Sequence, residues 1–498
     1  MKKKLYLNTG VSILYQIVSV IIGLILPRLF LIAYGSKVNG LIQSITQMLG
    51  VISLIDLGVG AVVQAALYKP LADKDYDKIS ILYSSAKKYF NLIAKILIFY
   101  VVLLIFYYAV DKSDDFSWLF TSTLIISISI SSFAQYYFGI NNSILLYADQ
   151  KIYITTIINL ITLIINAILT ILLIKLNVSI QIVKLVSSLI YILRPMYLAL
   201  YVRKNYSITV IKNPPKNAIR NQWSGLAQHI ASVLTNSADS IVLTFFSTFQ
   251  SVSIYNIYVL PLNAIKMLIE TVTTSYKSFF GNLIAKQENI KLQNEFRKYE
   301  IISHFIAVII FGTILIVLVP FVMIYTKGIN DANYDNQIFS MFITLAYAIY
   351  AIRIPYTTII FSAGKFKETQ LLSVIECVLN IVLSVVLVNV LGLSGVALAT
   401  CIAVGYRAIS SAYYLKKDIL YRPFKIFIKH IFVDVICFFI IFFLKDYFEI
   451  NRLDFFNWFL DSLGLFIIYV ISCSIIYFLF YRNEFLSFLN KLKKGDSI

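Results

Sequence analysis

The sequence is poor in charged residues and has no long polar segment. Only 14% of its 498 residues are charged, whereas 59% are hydrophobic and the mean hydropathy is +0.81. A soluble domain has too little interior to hide so many apolar side chains from water. The composition therefore excludes a soluble protein and predicts a helical membrane protein with very little mass outside the bilayer.

Cysteine is scarce, and the common motifs of catalysis are missing. The four cysteines lie inside apolar segments without C-x-x-C spacing, so neither a disulfide framework nor a metal site is predicted. No G-x-x-x-x-G-K-[ST] loop is present to cradle a nucleotide, and no nucleophile elbow is present either. We therefore expect a protein that is not an enzyme. A membrane polymerase or ligase stays open as an alternative, although the short loops leave little room to hold its substrate.

Long apolar runs fill the chain, and the charge of the loops between them alternates. Loops and tails on one side hold 29 Lys and Arg residues, whereas those on the other side hold six. Basic loops stay in the cytoplasm, so both termini are predicted to be cytoplasmic. Twelve spans is the alternative to the fourteen that we predict at about 9–33, 40–66, 87–110, 116–140, 151–175, 178–203, 223–247, 251–280, 299–326, 336–362, 368–391, 393–416, 424–444 and 455–482.

The sequence also contains an internal repeat. Residues 194–205 resemble residues 407–418 at an offset of 213, and Asp56 matches Glu270 at an offset of 214. Six spans per copy give both copies the same orientation, as in transporters built from parallel repeats. We predict an all-α membrane protein with two parallel six-helix bundles and two C-terminal helices. The expected bounds are 1–205 for the first bundle, 206–222 for a cytoplasmic linker, 223–418 for the second bundle and 419–498 for the last helices and tail.

Several charged residues fall deep inside the predicted spans, where each costs at least roughly 2.5–3.5 kcal/mol on insertion scales. Lys266 and Glu270 are four residues apart and share a helix face, so they form either a self-neutralising pair or part of a site. Arg28 and Arg353 have no evident local partner. A buried guanidinium without a partner suits an anion, above all phosphate, which its planar fork binds with two hydrogen bonds.

Other intramembrane residues have less decided roles. Arg194 and Arg407 match in the repeat and are expected to act either in gating or in holding helix ends. Asp239 and Asp434 are further buried acids. His229 and His304 are candidates for proton relay, although no paired acid is evident near either of them.

The opening of the chain resembles a known family. The residues that carry the resemblance are LPRLFLIAYG (26–35), VNGLI (38–42), SLIDLGVG (53–60) and ALYKPLA (66–72). They are similar to the Wzx-type polysaccharide flippases of the multidrug/oligosaccharidyl-lipid/polysaccharide exporter superfamily, and the pattern of six, six and two spans fits as well. The arginine-rich first span of the lipid II flippases, with its Arg-Asp pair, is not reproduced.

This resemblance implies alternating access and a repeat unit linked to undecaprenyl pyrophosphate as the cargo, in a bacterial cytoplasmic membrane. We expect Arg28, Lys266 and Arg353 to bind the cargo. Asp56, Asp239 and Glu270 are expected to tune the cavity or bind a coupling cation, Na⁺ or H⁺, and no other cofactor is predicted. The expected partners are the lipid bilayer, a polysaccharide polymerase and a chain-length regulator, but no nucleic acid. A cation-coupled multidrug exporter and a lipid II-type flippase are the alternatives.

Overall fold

The described part of the protein is built from α-helices and connecting turns. A computed structural model describes residues 2–55, 59–111, 115–212, 214–215, 226–444, 450 and 454–482. Within these residues there is no β-strand. The helices are α1 (Lys2–Gly50), α2 (Val59–Asp73), α3 (Tyr76–Asp111), α4 (Trp118–Ala134), α5 (Ile140–Ala148), α6 (Ile152–Lys175), α7 (Ile180–Asn205), α8 (Leu226–Phe246), α9 (Phe249–Ala285), α10 (Asn289–Tyr325), α11 (Gln337–Ser362), α12 (Phe366–Leu391), α13 (Leu393–Asp418), α14 (Lys425–Leu444) and α15 (Phe455–Phe480).

The predicted membrane architecture is confirmed. In the described residues, 12 helical stretches are long and apolar enough to cross a membrane, and Val233–Phe246 is a shorter apolar helix. The first of these stretches is divided at Gly35, whose φ of 80° and ψ of 169° interrupt α1. Glycine tolerates this positive φ because it has no Cβ. The break falls between the first two predicted spans.

The chain folds into two compact units, Met1–Ile241 and Val242–Ile498. The first unit contains α1 to α7 and most of α8. The second contains the rest of the chain, including α14 and α15. The domain bounds given above, which place the boundary in a linker at 206–222, stay a prediction.

The same succession of helices occurs in both units. Helices α7 and α13 each span 26 residues, and both their first and their last residues are offset by 213. Helices α6 and α12 begin at an offset of 214. In the first unit α7 packs against α4 and α6, and in the second unit α13 packs against α11 and α12 in the same way. The repeat in the sequence is therefore a repeat of structure.

Contacts between turns agree with the predicted sides of the membrane. Lys37 and Asp115, which both belong to predicted exterior loops, form an ion pair with 2.6 Å between Nζ and Oδ1. At the predicted cytoplasmic side, the Asn8 carboxamide accepts a hydrogen bond from the Tyr153 amide at 2.8 Å and donates one to the Gln150 carbonyl at 3.0 Å. Each contact therefore joins segments that are predicted to share a side of the membrane, while which side is cytoplasmic stays a prediction.

Helices α14 and α15 pack against α10. Gly312 on α10 lets Tyr469 approach so closely that an added Cβ would lie 2.4 Å from the tyrosine oxygen. The opposite face of α15 carries Ile467, Ile471 and Ile475, four residues apart and 50–58% exposed. An apolar stripe of this kind is unfavourable in water and suits contact with lipid.

Candidate functional site

Four helices of the second unit bring charged side chains together, and we call this group the charged cluster. Two pairs lie on single helices, with Lys266 four residues before Glu270 on α9 and Tyr350 three residues before Arg353 on α11. These spacings put both members of each pair on one helix face. The members of the charged cluster are Lys266, Glu270, Tyr350, Arg353, Glu376 on α12 and Arg407 on α13.

Tyr350 links α9 to α11 at the more exposed end of the charged cluster. Its ring centroid lies 4.5 Å from the Lys266 ammonium and 4.5 Å from the Arg353 guanidinium carbon. Its hydroxyl donates a hydrogen bond to the Glu270 carboxylate. One aromatic ring therefore contacts two cations through its π face and one carboxylate through its hydroxyl, so it holds like charges close together.

Glu376 is shared by two arginines at the buried end. The Arg353 guanidinium donates a hydrogen bond to its carboxylate, and Arg407 Nε lies 3.9 Å from its Oε2. Arg407 is only 2% exposed and also donates to the carbonyl oxygen of Thr369 at 3.1 Å. The structure thus gives Arg353 a partner that is not local, while its expected role in binding the cargo stays a prediction. Its partner lies on the next helix, 23 residues away, where spacing along one helix does not reveal it.

The charged cluster has a surplus of positive charge. Lys266, Arg353 and Arg407 carry three positive charges, whereas Glu270 and Glu376 carry two negative ones. Counted over these described residues, the cluster therefore has a net charge of +1. A low effective dielectric strengthens its attraction for an anion, so the cluster favours an anionic ligand over a cationic one.

The remaining predicted site residues fall in the first unit. Arg28 is exposed on α1 directly after Pro27, and no partner for it occurs among the described residues. Asp239 is buried on α8, with 5% of its surface exposed. Arg194 lies on α7 and contacts Thr162 and Tyr191. Asp56 lies outside the described residues. Of the predicted residues, the structure thus brings together Lys266, Glu270, Arg353 and Arg407.

The second unit also contains a buried network that the sequence analysis missed. Arg422 donates to both oxygens of the fully buried Glu300 carboxylate, at 2.6 and 2.5 Å. His430 Nε2 lies 3.3 Å from the same carboxylate, close enough for electrostatic attraction but not aligned for a hydrogen bond. Burial opposes the charge of Arg422, but its hydrogen bond to Glu300 outweighs this and raises the pKa of the guanidinium above its ordinary value.

His304 is the centre of the other half of this network. Its Nδ1 lies 2.6 Å from Asp434 Oδ2 and its Nε2 lies 2.8 Å from the Tyr356 hydroxyl. The hydroxyl can donate to a neutral imidazole or accept from a protonated one, so the ring can gain a proton without moving a heavy atom. Asp434 also accepts from Tyr477 at 2.7 Å. His304 thus has the acid that the sequence did not reveal, while its role in proton relay stays a prediction.

A simple sequence signal was available for this network. Glu300 and His304 are four residues apart on α10, and His430 and Asp434 are four apart on α14. Each helix therefore carries an acid and an imidazole on one face. Two such faces on apolar helices indicate that a buried polar network is present, but they do not say which residues pair.

Comparison with known proteins gives relatives in structure only. No family model and no curated protein matches the sequence. Among solved structures, the lipid II flippase MurJ in an inward closed conformation aligns with a TM-score of 0.70 and 18% identity, over 95% of this chain and 100% of MurJ. An inward-facing multidrug resistance MATE family transporter of the MOP superfamily aligns with a TM-score of 0.58 and 14% identity, over 80% of this chain and 96% of the transporter.

A third structure belongs to the same superfamily. A MOP superfamily transporter from Pyrococcus furiosus Vc1, described as having a binding pocket of reverse polarity, aligns with a TM-score of 0.51 and 13% identity, over 85% of this chain and 96% of its own. These identities are low, so the comparisons establish the fold and not the cargo. The chain has the polytopic fold shared by MurJ and the MATE transporters.

Proposed function

We propose that this protein is a flippase that moves a polysaccharide repeat unit, linked to undecaprenyl pyrophosphate, from the inner to the outer face of the cytoplasmic membrane. The observation that carries the proposal is the positive surplus of the charged cluster, inside a fold shared with the lipid II flippase MurJ. A pyrophosphate group is attracted to such a site, whereas a cationic drug is repelled. The resemblance of the opening motifs to polysaccharide flippases supports the same cargo class.

In this proposal Lys266 contacts the anionic group, because it lies at the more exposed end of the charged cluster. Arg353 and Arg407 share Glu376, so they hold the helices together and keep the local potential positive. Glu270 and Tyr350 position the Lys266 ammonium. The transport step itself needs no covalent chemistry, so the protein acts as a carrier and not as an enzyme.

The test compares Lys266→Gln with Lys277→Gln in proteoliposomes that contain a labelled lipid-linked repeat unit. Lys277 lies on the same helix and is exposed near the rings of Phe361 and Phe366. The Lys277→Gln variant is therefore a control that loses one positive charge outside the charged cluster. Loss of one charge-assisted hydrogen bond, worth about 1.5–3 kcal/mol, weakens cargo binding roughly 10- to 150-fold. We expect that loss for Lys266→Gln only. Equal transport by both variants at equal protein levels would refute the site.

A lipid II-type flippase is the second candidate, and the extent of the structural match to MurJ favours it. The two candidates differ in the sugar and share the polyprenyl pyrophosphate. The two candidates are distinguished with two sets of proteoliposomes, one containing lipid II and the other a lipid-linked polysaccharide repeat unit. The measurement is which of the two compounds reaches the outer leaflet. Movement of lipid II alone would replace the polysaccharide assignment.

A further inference from the structure

One arginine of the repeat has different partners in the two units. Arg194 on α7 and Arg407 on α13 occupy matching positions of the repeat, at the same offset of 213 as the ends of their helices. Helices α6 and α12 precede α7 and α13 in the two units, and their first residues are related by an offset of 214. At this offset, Thr162 on α6 matches Glu376 on α12. A carboxylate in the second unit is thus replaced by a hydroxyl in the first.

Contacts in the structure confirm this correspondence. In the second unit Arg407 Nε lies 3.9 Å from Glu376 Oε2. In the first unit Arg194 Nε donates a hydrogen bond to Thr162 Oγ1 at 2.6 Å. The same guanidinium nitrogen therefore faces the same position of the neighbouring helix in both units, with a negative partner in one and a neutral partner in the other.

The other contacts of Arg194 are neutral as well. Its Nη2 donates to the carbonyl oxygen of Asn159 at 3.4 Å, and its guanidinium carbon lies 4.1 Å from the centroid of the Tyr191 ring. Among the described residues no carboxylate forms an ion pair with it. A guanidinium that is partly removed from water without a counter-charge is costly unless an anion joins it.

The side chain of Arg194 lines a cavity of about 240 Å³ in the first unit. This volume is well above the roughly 10–15 Å³ that one water molecule needs, so a small anion fits. The other groups that face the cavity are neutral, and slightly more of its lining surface is apolar than polar. The polar residues are Gln135, Ser143, Tyr147, Thr155 and Asn159, and the apolar ones include Ile140, Ile144 and Leu198.

The backbone beside the cavity is unusual. Residues Gln135–Gly139 form one π-helical turn between α4 and α5, a feature that is rare and frequent at functional sites. An added Cβ at Gly139 would lie 3.0 Å from Cβ of Pro195, the neighbour of Arg194. Gly139 thus lets the π-helical turn approach α7 closely next to the arginine. This close packing indicates that the cavity is a defined site and not a gap left by loose packing.

We propose that this cavity binds a phosphate group, with Arg194 as the charged donor and the Gln135 and Asn159 carboxamides and the Tyr147 hydroxyl as additional donors. The planar guanidinium fork suits two phosphate oxygens. The bound group supplies the negative charge that Glu376 supplies to Arg407 in the second unit. This inference deepens the proposed function, because the pyrophosphate of the cargo is one source of such a group and free phosphate is the other.

The test measures binding apart from transport. Purified full-length protein in neutral detergent is heated with increasing inorganic pyrophosphate, at constant ionic strength kept with chloride. A ligand that binds the folded protein raises the unfolding temperature with concentration. We expect this rise for the unmodified protein and for Arg203→Gln, a control that removes an exposed charge from the same helix.

Two variants remove the site by different routes. Arg194→Gln deletes the charged donor, and Thr162→Glu installs the internal carboxylate that the second unit has. We expect both to bind pyrophosphate at least about tenfold more weakly, the change for losing one charge-assisted hydrogen bond. Thr162→Glu keeps the arginine, so it tests the proposal even where Arg194→Gln lowers the yield of folded protein. An unchanged affinity in both variants, or no rise in the unmodified protein, would overturn the proposal.

A second arm identifies the source of the phosphate. A short-chain polyprenyl pyrophosphate replaces inorganic pyrophosphate in the same assay. Protection at concentrations where inorganic pyrophosphate has no effect assigns the site to the lipid-linked headgroup, and equal protection by both assigns it to the free anion. If the unmodified protein binds pyrophosphate, both variants bind it more weakly, and yet the unmodified protein moves no lipid-linked substrate in proteoliposomes, then the site stands and the proposed function fails.

Discussion

Replacing Arg422 with methionine will strongly destabilise the second unit. Its guanidinium donates two hydrogen bonds to Glu300, at 2.6 and 2.5 Å, and the Glu300 side chain is 0% exposed. The variant leaves this carboxylate buried without its counter-charge. Removing one partner of a buried ion pair costs about 3–5 kcal/mol because the remaining charge cannot reach water.

The two partners of this pair are not equivalent. The Arg422 side chain is 14% exposed and lies in the turn between α13 and α14, so after loss of Glu300 it can reach water. We therefore expect Glu300→Met to cost less than Arg422→Met. The double variant has no charge left to bury and should recover most of the loss, since apolar replacements of buried pairs are often neutral.

The assay is thermal unfolding of the full-length protein in neutral detergent. A loss of 3–5 kcal/mol in a unit of this size lowers the unfolding temperature by about 6–20 °C. We expect that fall for Arg422→Met, a smaller one for Glu300→Met and the smallest for the double variant. If the single variants fall equally and the double variant falls by their sum, the two residues are not coupled and the reasoning is wrong.

Three other predictions concern packing, backbone and topology. Gly312→Ala should cost about 1–3 kcal/mol, because its Cβ would overlap the ring of Tyr469, and the unfolding temperature measures this. Gly392→Ala should cost about 1–3 kcal/mol in the same assay, because Gly392 has a φ of 57° and a ψ of −134° in the turn between α12 and α13, a conformation that residues with a Cβ rarely adopt. In a cysteine-free background, Lys37→Cys should react with a membrane-impermeant thiol reagent on intact cells. Lys286→Cys, in the predicted cytoplasmic loop between α9 and α10, should not react. The reverse pattern would invert the predicted topology.

The order of the helices could be predicted from the sequence because a bilayer imposes simple rules. A spanning segment needs about 20 apolar residues and its loops sort by charge, so both features are local. The pairing of Lys266 and Glu270 on one face was likewise visible from their spacing. The break at Gly35 fell where the first apolar run gives way to a loop.

The partners of the buried charges could not be predicted, because they lie on other helices. Arg353 meets Glu376 on the following helix, and Glu300 meets Arg422 at a separation of 122 residues. Such contacts depend on how the helices pack, which one sequence does not specify. His430 illustrates the limit: it lies near a span end in the sequence, yet it is only 2% exposed.

The charges at the two sites argue against a cationic cargo. Among the described residues, Arg194 in the first unit has no carboxylate partner, and the charged cluster in the second unit holds one more positive than negative charge. A singly charged ion about 4 Å from one unmatched charge gains or loses about 4 kcal/mol at an effective dielectric of about 20, which is roughly three orders of magnitude in affinity. In the proposed function, each site alone therefore favours an anion over a cationic drug. A multidrug exporter with these sites would have to overcome that penalty, whereas a carrier of a phosphate-bearing lipid benefits from it.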